Sequence, residues 1–230
     1  RTDRNNSPPT AEACLNFLKR VVNKEIELKS DINYDLIIVN HDADYELGNE
    51  YIAQINNTDT GKGVIKTITT DNKGISMDAY NTAFKHFIDD YDFWLFSEDD
   101  HLIFRDNYYT TLLKEFKENE PEIGFLALAP ISTNTALALH SGGGYGLTTT
   151  DVLKKVLELN KDMLPCLQTH HNISEAEIMF THYITLVGYE LLVTMKFSYY
   201  PLNHEACADH TIHRSKQIWS DNLNYIYHVG

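Results

Sequence analysis

The sequence predicts an α/β domain with a mainly parallel central sheet flanked by helices. Apolar runs of strand length recur at residues 35–40, 64–69, 92–96 and 123–129. Stretches with apolar residues at helical spacing lie between them, and the connections are short. This alternation is the pattern of right-handed βαβ units, whose strands are buried on both faces and read as continuous apolar runs.

In chain order, residues 11–24 place Leu15, Leu18, Val21 and Val22 on one helical stripe. Residues 35–40 read as a buried strand, followed at once by Asp42, Asp44 and Glu46, and residues 49–55 read as a short helix. A strand at 64–69 ends in the turn Asp71-Asn72-Lys73-Gly74. The helix at 77–87 carries Ala79, Ala83, Phe84 and Phe87 on one face. The strand at 92–96 stops at Ser97-Glu98-Asp99-Asp100, and a helix at 108–117 leads to a strand at 123–129. The second half differs. A glycine-rich turn at 141–146 precedes a helix at 150–159, and a polar loop at 165–173 holds His170 and His171. A helix at 174–186 has Ser174 as its expected N-cap and Glu175 and Glu177 in its first turn. Gly188 ends it, a strand follows at 191–199, and the tail holds His204, His210 and His213.

The 230 residues suffice for one sizeable core, with 43% apolar and 23% charged residues. A formal net charge of −14 argues against nucleic acid and against adsorption to anionic lipid, both of which need basic surface. No apolar run is long enough to span a membrane. Cys14, Cys166 and Cys207 are far apart, with no C-x-x-C spacing, which suits a reducing, cytoplasmic setting better than a zinc or redox motif. Sequons at Asn5, Asn56 and Asn172 carry little weight without a signal peptide. The first ten residues, polar and proline-bearing, are not one.

The chemistry-bearing residues lie just after strands. Three adjacent carboxylates, Glu98-Asp99-Asp100, repel one another, and a hard divalent cation with oxygen ligands relieves that repulsion. Such a cation stabilises the charge on a departing diphosphate. By itself the triplet serves equally as a solvated turn before the helix near Asn107. The strand Phe93-Trp94-Leu95-Phe96 favours the ligand reading, because ligands in such sheets bind outside the carboxyl ends of the strands. Gly74 permits close approach of backbone to a ligand and Lys73 offsets phosphate charge. Alone, that segment reads as a plain turn into a core helix.

Together, Asn72-x-Gly74, Ala79-x-Asn81 and a buried strand ending in Glu98-Asp99-Asp100 resemble the donor half of family 2 glycosyltransferases of the GT-A fold. Arg1-Thr2-Asp3-Arg4 is similar to the base-contacting loop after that family's first strand, and Cys14-Leu15-Asn16-Phe17-Leu18 to the helix that follows. The resemblance implies one GT-A (Rossmann-like) domain over residues 1–230, with a nucleotide-sugar half to about 104 and an acceptor half from about 105 carrying a smaller sheet. It also implies a first strand upstream of Arg1, so that the sequence is expected to be part of a longer chain.

The resemblance further implies site roles. Thr2, Arg4, Asn72, Lys73, Gly74, Gly143 and Gly144 would contact the nucleotide sugar. Asp42, or Asp44, would contact the nucleoside and Asp99 the ribose. Asp100 would hold Mn²⁺ or Mg²⁺, assisted by Glu98, where the family usually has aspartate. His210 or His213 resembles a late histidine that approaches the metal. Counting back from Gly188-Tyr189 places Glu177 at the catalytic carboxylate, with Glu175 as runner-up, the usual acidic pair being interrupted by Ala176. Without the resemblance, both glutamates merely complement the helix N-terminus, at about 0.3–1 kcal/mol each. His170 and His171 match no role.

The implied activity is inverting, metal-dependent transfer of a sugar from a nucleoside diphosphate sugar to a hydroxyl of a carbohydrate or other acceptor, as in glycan synthesis. Three other readings stay open. A sugar-phosphate nucleotidyltransferase normally has a glycine-rich loop after its first strand, and residues 1–9 contain no glycine. A retaining GT-A transferase differs in the anomeric configuration of its product. A non-catalytic carbohydrate-binding domain would not bind a nucleoside diphosphate with Mn²⁺.

Overall fold

A computed structural model of the chain describes residues 11–41, 44–70, 75–97, 101–103, 106–128, 131–132, 140–141, 145–161, 164–165, 173–194, 197–198, 218–221 and 226–229. The elements run α1 (Ala11–Glu27), β1 (Leu36–Asn40), α2 (Glu46–Ile55), β2 (Ile65–Thr69), α3 (Ile75–His86), β3 (Phe93–Phe96), β4 (His101–Ile103), α4 (Tyr108–Glu118) and β5 (Ile123–Ala127). They continue with β6 (Ile131–Ser132), β7 (His140–Ser141), β8 (Gly146–Thr149), α5 (Thr150–Leu159), α6 (Ile173–Leu186), β9 (Glu190–Val193), β10 (Phe197–Ser198), β11 (Ile218–Asp221) and β12 (Ile226–Val229). The α/β class expected from the sequence is what forms.

The central layer consists of two ladders, β2–β1 and β3–β8–β5–β9. Helices cover both faces, because alternate residues of each apolar strand point to opposite sides. Ile37 and Val39 of β1 share one core with Trp94 and Phe96 of β3, under α3, α5 and α6. Leu36 and Ile38 turn to the opposite side, against α1 and α2. Phe93 and Leu95 lie on that same side, against α4. The shared core makes the two ladders parts of one layer.

The expectation of a mainly parallel sheet needs correction, because the sheet is mixed. β1 pairs β2 in parallel and β5 pairs β9 in parallel, but β8 runs against both β3 and β5. The stretch Gly146–Thr149, read from sequence as the lead-in to a helix, is this strand. It is chosen for fit rather than for hydrophobicity. A Cβ at Gly146 would stand 2.5 Å from the Leu126 carbonyl oxygen and 2.6 Å from the Phe125 ring. Buried Thr148 donates its hydroxyl to the Gly124 carbonyl at 2.6 Å. At the strand's end Thr149 caps α5, its side chain accepting from the Val152 N–H at 3.3 Å. The Trp94 indole N–H donates to the Thr150 hydroxyl at 3.0 Å, and that hydroxyl donates to the Tyr91 carbonyl, fixing α5 to β3.

Smaller differences concern element ends. α2 begins at Glu46 rather than 49, and β9 ends at Val193 rather than 199. α6 begins at Ile173, so Ser174 lies inside the helix rather than at its cap. A second, antiparallel sheet joins β10, β11, β12 and β4, and β6 with β7 forms a short ribbon. Among the described residues no helix is long and apolar enough to cross a membrane.

Candidate functional site at the carboxyl ends of the central strands

The path of the chain marks one rim of the sheet. From β1 it steps by α2 to β2, with α2 on the same side as α1. It then returns by α3, on the opposite side, to β3. Crossovers of one hand that change direction must also change face. The reversal therefore places a topological switch between β1 and β3, and ligands of such sheets bind outside the carboxyl ends of the strands at that point.

The described residues at this rim are Asn40, His41, Asp44 and Ser97. The Asn40 carbonyl accepts from the Thr70 N–H at 2.9 Å, and its side-chain amide donates to Asn49 Oδ1 at 2.9 Å. The end of β1 is thus tied to the end of β2 and to α2, which holds the following turn in place. Asp44, in that turn, and Ser97, directly after β3, are exposed. Sequence reading missed Asn40, whose role depends on a partner nine residues away on a helix.

The first turn of α6 lies at the same rim. Phe180 packs against Phe96, the last residue of β3, with ring centroids 5.6 Å apart. Ile184, one turn later, lies against Gly124, near the start of β5. The helix therefore runs against the strand direction, and at 1.5 Å per residue its first turn lies about 5–10 Å beyond Phe180, past the end of β3. Glu175, exposed in that turn, and the backbone of residue 177 belong to it. α6 also runs beside β7, directly before the glycine run.

The opposite end of the strands is tied together by side chains. Asp35 accepts from the Tyr91 hydroxyl at 2.6 Å and from the Val64 N–H at 2.8 Å, and Lys66 reaches Asp35 at 3.2 Å and Asp90 at 3.5 Å. Burial raises the Asp35 carboxyl, but the bonds from Tyr91, Val64 and Lys66 together hold it below its ordinary value. Burial, with the Asp35 bond, pushes the Tyr91 hydroxyl up to about 12. This knot joins the starts of β1, β2 and β3. Asn81, part of the sequence motif, is structural here, since its side-chain oxygen accepts from the Leu164 N–H at 2.9 Å.

Of the residues expected at the site, Asp44, Glu175 and the backbone of Glu177 are placed at one rim. The side chain of Glu177 lies outside what is described, as do Thr2, Arg4, Asp42, Asn72, Lys73, Gly74, Glu98, Asp99, Asp100, Gly143, Gly144, His210 and His213. Among the described residues no cluster of three His, Cys, Asp or Glu side chains is arranged to hold a metal ion. No protein-family model and no curated protein matches the sequence.

Proposed function

We propose that the protein is an inverting, metal-dependent glycosyltransferase of the GT-A kind, moving a sugar from a nucleoside diphosphate sugar to an acceptor hydroxyl. The observation that supports this reading best is that the chain leaving β3 and the first turn of α6 lie at the same end of the central strands. Ser97, which leads into the triplet Glu98-Asp99-Asp100, and the first turn of α6, which carries Glu175 and Glu177, lie at the same carboxyl rim.

Roles follow from chemistry. Asp42 or Asp44 and Asp99 accept hydrogen bonds from the nucleoside and its ribose, while Lys73 offsets phosphate charge. Asp100 and Glu98, with His210 or His213, are a hard donor set that suits Mn²⁺ or Mg²⁺. A cation held there would neutralise the charge developing on the diphosphate. Glu177 takes the proton of the acceptor hydroxyl, whose oxygen forms the new bond to the anomeric carbon. The carbon–oxygen bond to the diphosphate breaks, and its electron pair leaves with that group. A base needs hydrogen-bond reach to the acceptor, so it belongs on a different element from the phosphate ligands. The three dispersed cysteines fit a cytoplasmic setting for this activity.

A thermal-shift screen of UDP, GDP, dTDP and CMP, each with and without Mn²⁺, tests the reading. The cognate nucleotide at 100 times its Kd is expected to add about 2.7 kcal/mol of stability, and Mn²⁺ is expected to be required. Asp100→Ala is expected to lose the Mn²⁺-dependent shift and the transfer. Glu177→Gln is expected to keep the shift and lose the transfer. Full turnover by Glu177→Gln removes it as the base, and absence of any nucleotide shift removes the reading.

A further inference from the structure

β2 forms one border of the central layer, since among the described residues it pairs with β1 alone. Its parallel register runs from Leu36↔Ile65 to Asn40↔Thr69. The Leu36 N–H donates to the Val64 carbonyl, and the Thr70 N–H donates to the Asn40 carbonyl. Successive residues of a strand turn their backbone groups to opposite edges. Residues 64, 66, 68 and 70 therefore face β1, and Ile65, Thr67 and Thr69 present their N–H and C=O groups to the outer edge. Such an edge is a template for a strand of another molecule. Ile65-Lys66-Thr67-Ile68-Thr69 suits that use, being rich in β-branched residues, without proline and with a single charge. That charge does not protect the edge. Lys66 reaches Asp35 at 3.2 Å and Asp90 at 3.5 Å and lies over the Phe87 and Tyr91 rings, on a face of the sheet.

We propose that Asn56-Asn57-Thr58 is an edge guard, which holds these outward groups and so prevents a second copy of the chain from pairing along β2. Asn56 ends α2, its N–H donating to the Ile52 carbonyl, and its side-chain oxygen accepts from the Thr67 N–H at 3.1 Å. Asn57 takes φ 64, a left-handed conformation that asparagine tolerates, and the chain reverses there. The Asn57 N–H donates to the Ile65 carbonyl at 2.7 Å, and the Thr58 carbonyl accepts from the Ile65 N–H at 2.9 Å. Both groups of Ile65 and the N–H of Thr67 are thereby taken. The bonds to Ile65 are backbone to backbone and follow from the path of the turn. The bond to Thr67 depends on one exposed side chain. Its place decides what is kept out. Thr67 is the middle residue of β2. Two copies related by a two-fold axis pair antiparallel, and a pair centred on Thr67 exchanges two bonds between that residue and its counterpart. The Asn56 amide oxygen occupies the N–H on which such a pair is built. The Asn-x-Thr triplet that the sequence holds at this point thus has a structural use.

The guard is independent of the reaction at the carboxyl rim, and its test reads association and amide exchange rather than turnover. Asn56→Ala suits the backbone, since φ −60 and ψ 132 are open to alanine. In dilute protein its Thr67 N–H is expected to exchange about 10-fold faster than the parent's, as loss of one hydrogen bond allows. Unchanged exchange at Phe125 and Leu126 marks the core as intact. Sedimentation velocity is run in about 0.15 M salt, which screens the net charge of −14. Asn56→Ala is expected to show a concentration-dependent dimer that the parent lacks. Asn56→Asp keeps an acceptor oxygen and is expected to behave as the parent. Thr67→Pro added to Asn56→Ala removes the donor from the outer edge, where proline is tolerated, and is expected to abolish the dimer. Faster exchange at Thr67 without a dimer overturns the proposal, as does unchanged exchange at Thr67. A dimer that survives Thr67→Pro, or one formed equally by Asn56→Asp, overturns it in favour of another surface.

Discussion

β1 and β5 are both five-residue apolar strands in the same layer, with helices on both faces, yet they differ in burial. Every residue of β5 is buried, whereas every residue of β1 is only half-buried. Composition does not explain this, because Leu36-Ile37-Ile38-Val39 is at least as apolar as Ile123-Gly124-Phe125-Leu126. Lateral pairing does. β5 lies between β8 and β9, while among the described residues β1 pairs with β2 on one side and with no strand on the other. Helices stacked above and below a strand leave its flank open to water, and only neighbouring strands close it.

The largest expected effect is on the closed side. Gly146→Val places a branched side chain against the Leu126 carbonyl and the Phe125 ring, with no space to receive it. Unfolding in urea is expected to show a loss of about 3–5 kcal/mol, within the range of severe overpacking. The paired strands are then compared directly. Leu126→Ala, at a fully buried position, is expected to cost about 2–5 kcal/mol. Ile38→Ala, at a half-buried one, is expected to cost about 1–2 kcal/mol, because less apolar area leaves water there on folding. Equal costs would show β1 as enclosed in solution as β5, and would break the comparison.

The third prediction concerns what holds β1 to β3, which share no ladder among the described residues. Asp35 joins the starts of β1, β2 and β3 through Val64, Lys66 and Tyr91. Its carboxyl is held below the ordinary value of 3.8, so the folded state binds its proton less readily than the unfolded chain. The stabilisation is therefore fully present above pH 3.8 and is lost as pH falls through the folded-state value. Asp35→Asn is expected to cost about 1–2 kcal/mol at pH 7, as charged hydrogen bonds typically do. That cost is expected to shrink in acid. A difference between variant and parent that stays constant from pH 7 to pH 2 would sink the account.

Much of the layer was legible because its strands announce themselves by continuous apolar runs and its helices by stripes. α5 falls at the residues its pattern indicates, and β1, β2, β3 and β5 follow theirs closely. β8 was not legible, since a strand of Gly146, Leu147, Thr148 and Thr149 carries no period. Its place comes from a close backbone approach and a buried threonine bond. At the candidate site, Asp44 after β1 was legible as a local feature. The knot of Asp35, Lys66 and Tyr91 was not, because residues so far apart meet only in the folded sheet.

The smallest expected effect tests the floor of α1, where the chain turns toward β1. Glu25 is 4% exposed and accepts from the Tyr109 hydroxyl at 2.6 Å and from the Tyr34 hydroxyl at 2.9 Å. Buried Lys62 donates to the Glu25 carbonyl and, at 2.7 Å, to that of Leu28. Burial raises the Glu25 carboxyl above its ordinary 4.5, and the two tyrosine bonds and the Lys62 charge offset this only in part. The folded state therefore holds the proton more firmly than the unfolded chain. The contribution is fully present below pH 4.5 and is lost as pH rises through the folded-state value. One proton sets a ceiling of about 1.4 kcal/mol per pH unit on that slope. Glu25→Gln cannot ionise and is expected to flatten the slope, whatever its constant cost from a mismatched tyrosine bond. Tyr109→Phe removes a bond that favours the carboxylate and is expected to extend the decline to higher pH, its start near pH 4.5 unchanged. Because this network lies on the β1 side, chemical unfolding of the three proteins between pH 4 and pH 8 reads whether that flank excludes water. An identical pH dependence in parent and Glu25→Gln would mean that water reaches Glu25 freely and that α1 does not seal the start of β1.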